Sequence, residues 1–106
     1  MYGYYNYIYF MKHIKFQWDK SKNRTNQKKH NVSFEEAKTV FYDENARLIH
    51  DPDHSDNEDR YILLGMSSNL RLLIVIHTYR EIDEIIRIIS ARKATKNEIK
   101  YYLKGN

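Results

Sequence analysis

The sequence predicts one α+β domain, and three observations carry that prediction. The run LRLLIVIHTY, Leu70 to Tyr79, is apolar on both faces of any strand it forms, so it belongs at the centre of a sheet. Ser33 with Glu36, and Thr95 with Glu98, have the spacing of helix-opening capping boxes on either side of the strand-like region. Strand and helix patterns do not alternate along the chain, which argues against a parallel βαβ design.

Each element follows from local pattern. His13 to Trp18 alternates Ile14, Phe16 and Trp18 with polar residues, as a half-buried strand does. Asp19 can cap the next segment, Lys20 to Lys29, which is charged and amidic with no apolar stripe and reads as a solvated, weakly anchored helix. His30-Asn31 is its stop, Asn31 tolerating a left-handed conformation. His30 is best read as satisfying terminal carbonyls there. The Ser33 helix puts Phe34, Ala37, Val40 and Phe41 on one face and ends near Asp43-Glu44-Asn45. Ala46 to His50 reads as a short strand and Asp51-Pro52-Asp53 as a turn. Arg60 to Met66, Leu70 to Tyr79 and Glu84 to Arg92 then form an antiparallel meander, with turns at Ser67-Ser68-Asn69 and Arg80 to Asp83. Thr95 opens a last helix with Ile99, Tyr102 and Leu103 inward.

A chain of 106 residues is one domain on size. The expected boundaries are a tyrosine-rich extension, residues 1–10, and one domain, residues 11–106. The extension, YGYYNYIYF after Met1, reads as a tail from an upstream start codon, Met11 resembling a natural start; the other reading is an extra edge strand. The chain contains no cysteine, which excludes disulfides, thiolate metal sites and a cysteine nucleophile. The plain reading of that absence is a cytoplasmic protein, and no apolar run approaches the roughly 18 residues of a membrane span, so no membrane-spanning segment is expected. The net charge of +4 is unevenly spread. Lys12 to His30 and Arg60 onward are basic, whereas Glu35 to Asp59 is acidic. That order suggests one surface able to approach phosphates and another that cannot.

The densest chemistry is HSDNEDR, His54 to Arg60, which sets an imidazole, a carboxylate and a guanidinium just before a strand. Those groups could take a proton, give one and hold a phosphate. The plain alternative is one helical turn, Ser55 and Glu58 having capping spacing. Arg87 is flanked by isoleucines, so it must either pair with an acid or line a phosphate-binding concavity. By strand alternation it shares a face with Ile89 and Ala91, opposite Ser90 and Arg92. Arg80 follows the apolar strand beside Tyr79, which could stack a base while Arg80 holds a phosphate. Lys22, Lys28 and Lys29 stand on the first helix and could touch an RNA backbone, as could Arg92. His50 and His54 are separated by Pro52, which breaks any helix that would align them, so no metal site is expected and no cofactor is implied.

WD with Lys22 and Asn26, KHNVSFEEA (Lys29 to Ala37), DPDHS with Glu58 and Arg60, and RIISARKAT (Arg87 to Thr95) occur in one order. That ordered set resembles the BrnT family of toxins from type II toxin–antitoxin systems. Asn31 stands where the family pattern has glycine. The resemblance implies a RelE-like α+β fold: a central antiparallel β-sheet with two N-terminal helices and a C-terminal helix. It also implies an endoribonuclease that cleaves mRNA and arrests translation, and a BrnA-like ribbon–helix–helix antitoxin through which operator DNA is bound indirectly. On that reading the catalytic set is His54, Glu58, Arg60, Arg80 and Arg87, with no metal, and the products end in a 2′,3′-cyclic phosphate or 3′-phosphate. Glu58 is expected as base, His54 as acid, and Arg80 and Arg87 on the phosphate, with Arg60 in support. The second reading is a non-catalytic toxin-like module that binds its antitoxin and tunes repression. Growth arrest on expression without the antitoxin separates the two.

Overall fold

Strand β1 (Lys15–Gln17) leads into helix α1 (Lys20–His30), helix α2 (Phe34–Thr39) and a short 3₁₀ turn, Val40–Tyr42. Strands β2 (Arg47–His50), β3 (Tyr61–Met66), β4 (Leu72–Arg80) and β5 (Ile85–Lys93) follow, and helix α3 (Lys96–Lys104) closes the chain. This is a computed structural model, and it describes residues 13–50 and 60–105. The tyrosine-rich extension, His54, Glu58 and the turns expected around them lie outside the described residues.

The strands form one sheet in the order β1-β5-β4-β3-β2. The meander from β2 to β5 is antiparallel, with the apolar strand β4 at its centre. The sequence reading is corrected at one edge, because β1 joins β5 in parallel. The two α-helices between β1 and the meander carry the chain back across the sheet, so the first strand reaches the far edge running the same way as the last.

The main core lies between the sheet and helices α1 and α2. Val32, Phe34, Ala37 and Val40 meet Leu63, Leu73, Val75, Ile86, Ile88 and Ala91 there. Ile14, Phe16, Trp18 and Phe41 close its rim, with Phe16 and Trp18 edge-on to Phe41 and Phe34. Helix α3 lies on the other side of the sheet, beside Leu64 and Ile74.

Local signals work as physics requires, with three differences. Asp19 caps α1 and Asn31 ends it in the left-handed region, φ 57°. The Thr95–Glu98 capping box forms completely. The Ser33 box forms only half. Ser33 Oγ accepts from Glu36 N at 3.0 Å, but the Glu36 carboxylate turns to Ser67 and Arg71, a charged donor outcompeting a backbone amide. Helix α1, expected to be weakly anchored, is fastened by amides. Asn26 donates to Val32 O and Ala91 O, both at 2.8 Å, and accepts from Ala91 N; Asn23 accepts from Phe34 N. Leu103, expected inward, is 70% exposed, because α3 covers only part of its side of the sheet. Among the described residues, no helix is long and apolar enough to cross a membrane.

Candidate functional site

The sheet has two unlike sides, and backbone register decides which side each candidate occupies. Arg87 pairs with Thr78 on β4 and with Gln17 on β1. Arg60 comes one residue before Tyr61, which opens β3 and pairs with His77. Gln17, Arg87 and Thr78 thus cross three strands as one rung on the α3 side, and Arg60 enters β3 at that end of the sheet. The next rung holds Lys15, Ile85 and Arg80.

A β-bulge produces this grouping. The register steps from Ile76–Ser90 to His77–Ile88, leaving Ile89 as an extra residue in β5. Simple alternation would have put Arg87 with Ala91. Instead Ala91 turns into the core with Ile86 and Ile88, and Arg87 shares its side with Ser90 and Arg92. The bulge has no signal in the residue pattern IIRIISAR, which is why the sequence misassigned the side.

The arginines differ in what holds them. Arg71 is bound by Glu36, whose carboxyl is held below its usual range chiefly by that guanidinium. Arg92 is bound by both oxygens of Glu98 at 2.9 Å; this pairing does most to hold the Glu98 carboxyl down at about 2. Any anion reaching Arg92 must displace that carboxylate. Arg80 is bound by Asp83 within its own turn, through Nε to both oxygens at 2.9 Å, and its side chain stays 62% exposed. Arg87 is exposed and meets a neutral amide instead, donating to Gln17 Oε1 at 3.1 Å. Among the described residues it forms no ion pair. The Asp19 carboxyl feels its charge, but is lowered chiefly by the Lys22 N–H.

Tyr79 and Arg80 point to opposite sides of β4. Tyr79 pairs with Ile86, on the helix-packed side, and is partly exposed there. Its joint action with Arg80, expected from adjacency, is therefore split by strand alternation. Lys22, Lys28 and Lys29 are exposed on α1, in the layer behind the sheet. His54 and Glu58 lie outside the described residues; the chain leaves β2 at His50 and returns at Arg60, at the same end of the sheet as Arg80 and Arg87. Among the described residues no group of three or more His, Asp or Glu is placed to hold a metal ion.

Two features escaped the sequence reading. His77 is buried edge-on to Phe41, with ring centres 4.8 Å apart, and burial pushes its imidazole down to about 4. Tyr101 borders an apolar groove on the α3 side, with the Arg47 guanidinium 4.5 Å from its ring centre. Helical spacing pointed to Tyr102 and gave Tyr101 no signal. Tyr102 instead donates to Asp43 at 2.6 Å, and burial and that bond push its phenol up to about 12.

A family model described as the ribonuclease toxin BrnT of a type II toxin–antitoxin system matches residues 18–98. The fold is similar to the crystal structure of the ribonuclease toxin BrnT of Brucella abortus. The TM-score is 0.59 at 26% identity, over 78% of this chain and 99% of that one. No match was found among curated proteins.

Proposed function

This chain belongs to the BrnT family of ribonuclease toxins of type II toxin–antitoxin systems, and on that premise we propose that it is a metal-independent endoribonuclease. Its substrate is mRNA and its RNA-cleaving face is the α3 side of a RelE-like sheet. The observation that carries this reading is the exposed Arg87, set on a rung with Thr78 and Gln17 and held by an amide rather than an acid. A cation oriented by a neutral group keeps its full charge for a phosphate. Arg60 enters β3 at the same end of the sheet, one strand beyond Thr78. Arg80 is one rung away and would exchange Asp83 for a substrate phosphate.

Cleavage then proceeds by in-line attack of a 2′-hydroxyl on the adjacent phosphorus, expelling the 5′-oxygen. Glu58 takes the 2′ proton, and His54 delivers a proton to the leaving oxygen. Arg87, Arg80 and Arg60 stabilise the charge that grows on the phosphorane oxygens. The products end in a 2′,3′-cyclic phosphate or 3′-phosphate. Lys22, Lys28, Lys29, Tyr79 and Arg92 are assigned to RNA binding. In the cytoplasm this activity arrests translation. The family implies an antitoxin; a BrnA-like ribbon–helix–helix protein is the proposed partner, blocking RNA access and joining the toxin to operator DNA.

The test is expression without the antitoxin, together with cleavage of RNA by purified protein. Arg87→Ala is expected to fold normally, to lose growth arrest and to cut about 10²–10³-fold more slowly. EDTA is expected to leave wild-type cleavage unchanged. If Arg87→Ala, Arg80→Ala and Glu58→Ala all fold and all arrest growth as wild type does, the assignment is wrong. A wild-type protein that neither arrests growth nor cuts RNA, yet binds its antitoxin, is the non-catalytic module.

A further inference from the structure

We propose that the groove between α3 and strands β2 to β4 is a slot for one nucleobase of the RNA strand, with Tyr101 as the stacking surface. This inference rests on the reading of the α3 side as the RNA-cleaving face, and it names a binding subsite beside the phosphate-holding arginines.

The groove has a volume of about 280 Å³ and an aliphatic floor of Ile49, Ile62, Leu64 and Ile74, with Asn97 and Tyr101 on its helical rim. Drug-sized ligands occupy pockets of about 300–1,000 Å³. This one is sized for a single planar ring. Tyr101 lines both this groove and the neighbouring cleft that contains Arg47, so its ring stands as a partition between them. Arg47 covers the ring from the cleft side at 4.5 Å. The groove side of a tyrosine 45% exposed is left for another π-face.

Charge selects the occupant. Ile62 lies two residues beyond Arg60, about 7 Å along an extended chain. Arg47, paired with Leu64 across β2 and β3, stands behind Tyr101 in the neighbouring cleft. The rim acid, Glu98, is bound to Arg92. An apolar slot whose aromatic wall is backed by the Arg47 guanidinium suits an aromatic ring carried on an anionic backbone. Tyr79, the stacking candidate by sequence, cannot serve it, because it lies on the opposite side of the sheet.

The test uses the full chain and a non-cleavable 2′-O-methyl RNA oligonucleotide, with an abasic unit walked along it one position at a time. Binding is expected to fall about 10-fold or more when the abasic unit occupies one position, and little elsewhere. Tyr101→Leu should erase that difference and Tyr101→Phe should keep it. Asn97→Trp, a substitution at an exposed helical position that plugs the mouth, should also erase it, and answers the question if Tyr101→Leu does not fold. A flat abasic profile in wild type overturns the proposal, as does a profile that survives both Tyr101→Leu and Asn97→Trp. A flat profile together with Tyr101→Leu weakening capture of the antitoxin also overturns it, and makes the groove a protein seat. Cleavage of the unmodified oligonucleotide, measured in parallel, keeps failure of this proposal separate from failure of the nuclease assignment.

Discussion

His77 stands on the helix-packed side of β4 with 3% of its surface exposed, between Phe41 and Tyr61. Burial, opposed only by the Val75 carbonyl on Nδ1, lowers its pKa from 6.5 to about 4. A base whose folded pKa lies below its unfolded value stabilises the fold fully above 6.5, and that contribution is lost as pH falls from 6.5 towards 4. The full loss is about 3 kcal/mol. His77→Phe should therefore flatten the fall in denaturation free energy between pH 6.5 and 4, relative to wild type. Equal slopes for the two proteins would show that His77 is not the group responsible. No pattern in the sequence separated this histidine from a surface one: it sits in an apolar run at a polar-tolerant position, and its enclosure depends on Phe41 from a distant helix end. Arg87 was legible as an anomaly, because isoleucines flank it. Its exposure was not, because that depends on which way the backbone turns at Ile89.

Helix α1 shows what an element can do without an apolar face. Its sequence, KSKNRTNQKKH, gives no stripe, yet Asn26 is 7% exposed and pairs with Ala91 through both its amide atoms. Asn26→Leu keeps the branched shape but leaves Ala91 N, Ala91 O and Val32 O buried without partners. At about 1–3 kcal/mol for each such group, the variant should lose at least about 3 kcal/mol in urea denaturation. Thr25→Ala, which removes only a bond to Ser21 O within the helix, should change little. A loss below about 1 kcal/mol for Asn26→Leu would mean that water replaces the amide. The strands and caps that the sequence specified share one property, dependence on neighbours within a few residues: Asp19, Asn31, Ser33, Thr95 and the run from Leu72. What stayed hidden depends on partners far along the chain. The parallel docking of β1, the turn of Glu36 to Arg71 and the outward Leu103 all belong to that second kind.

Across the whole molecule, basic residues occupy both layers. The α3 side carries Arg80 and Arg87, and the opposite layer carries Lys22, Lys28 and Lys29 on α1. If an RNA strand follows the β1 edge from one to the other, replacing the three lysines with serine should weaken binding equally for all sequences. It should also reduce the slope of log affinity against log salt by about 2, three phosphate contacts at about 0.7 each. The cutting rate at saturating RNA should not change. An unaltered salt slope would confine RNA to the sheet face and leave α1 a solvated surface. Two of the groups on the proposed cleaving rung, Gln17 and Arg87, are 70 residues apart in the chain. Contacts between such distant residues require a large loop to close, which slows folding and places them late. During synthesis β1 emerges early and must wait for β5, with about two-thirds of the 106 residues made in between. On the proposed assignment, a nascent chain has no assembled phosphate site, so the ribosome that makes this protein is not exposed to its activity until β5 has been made.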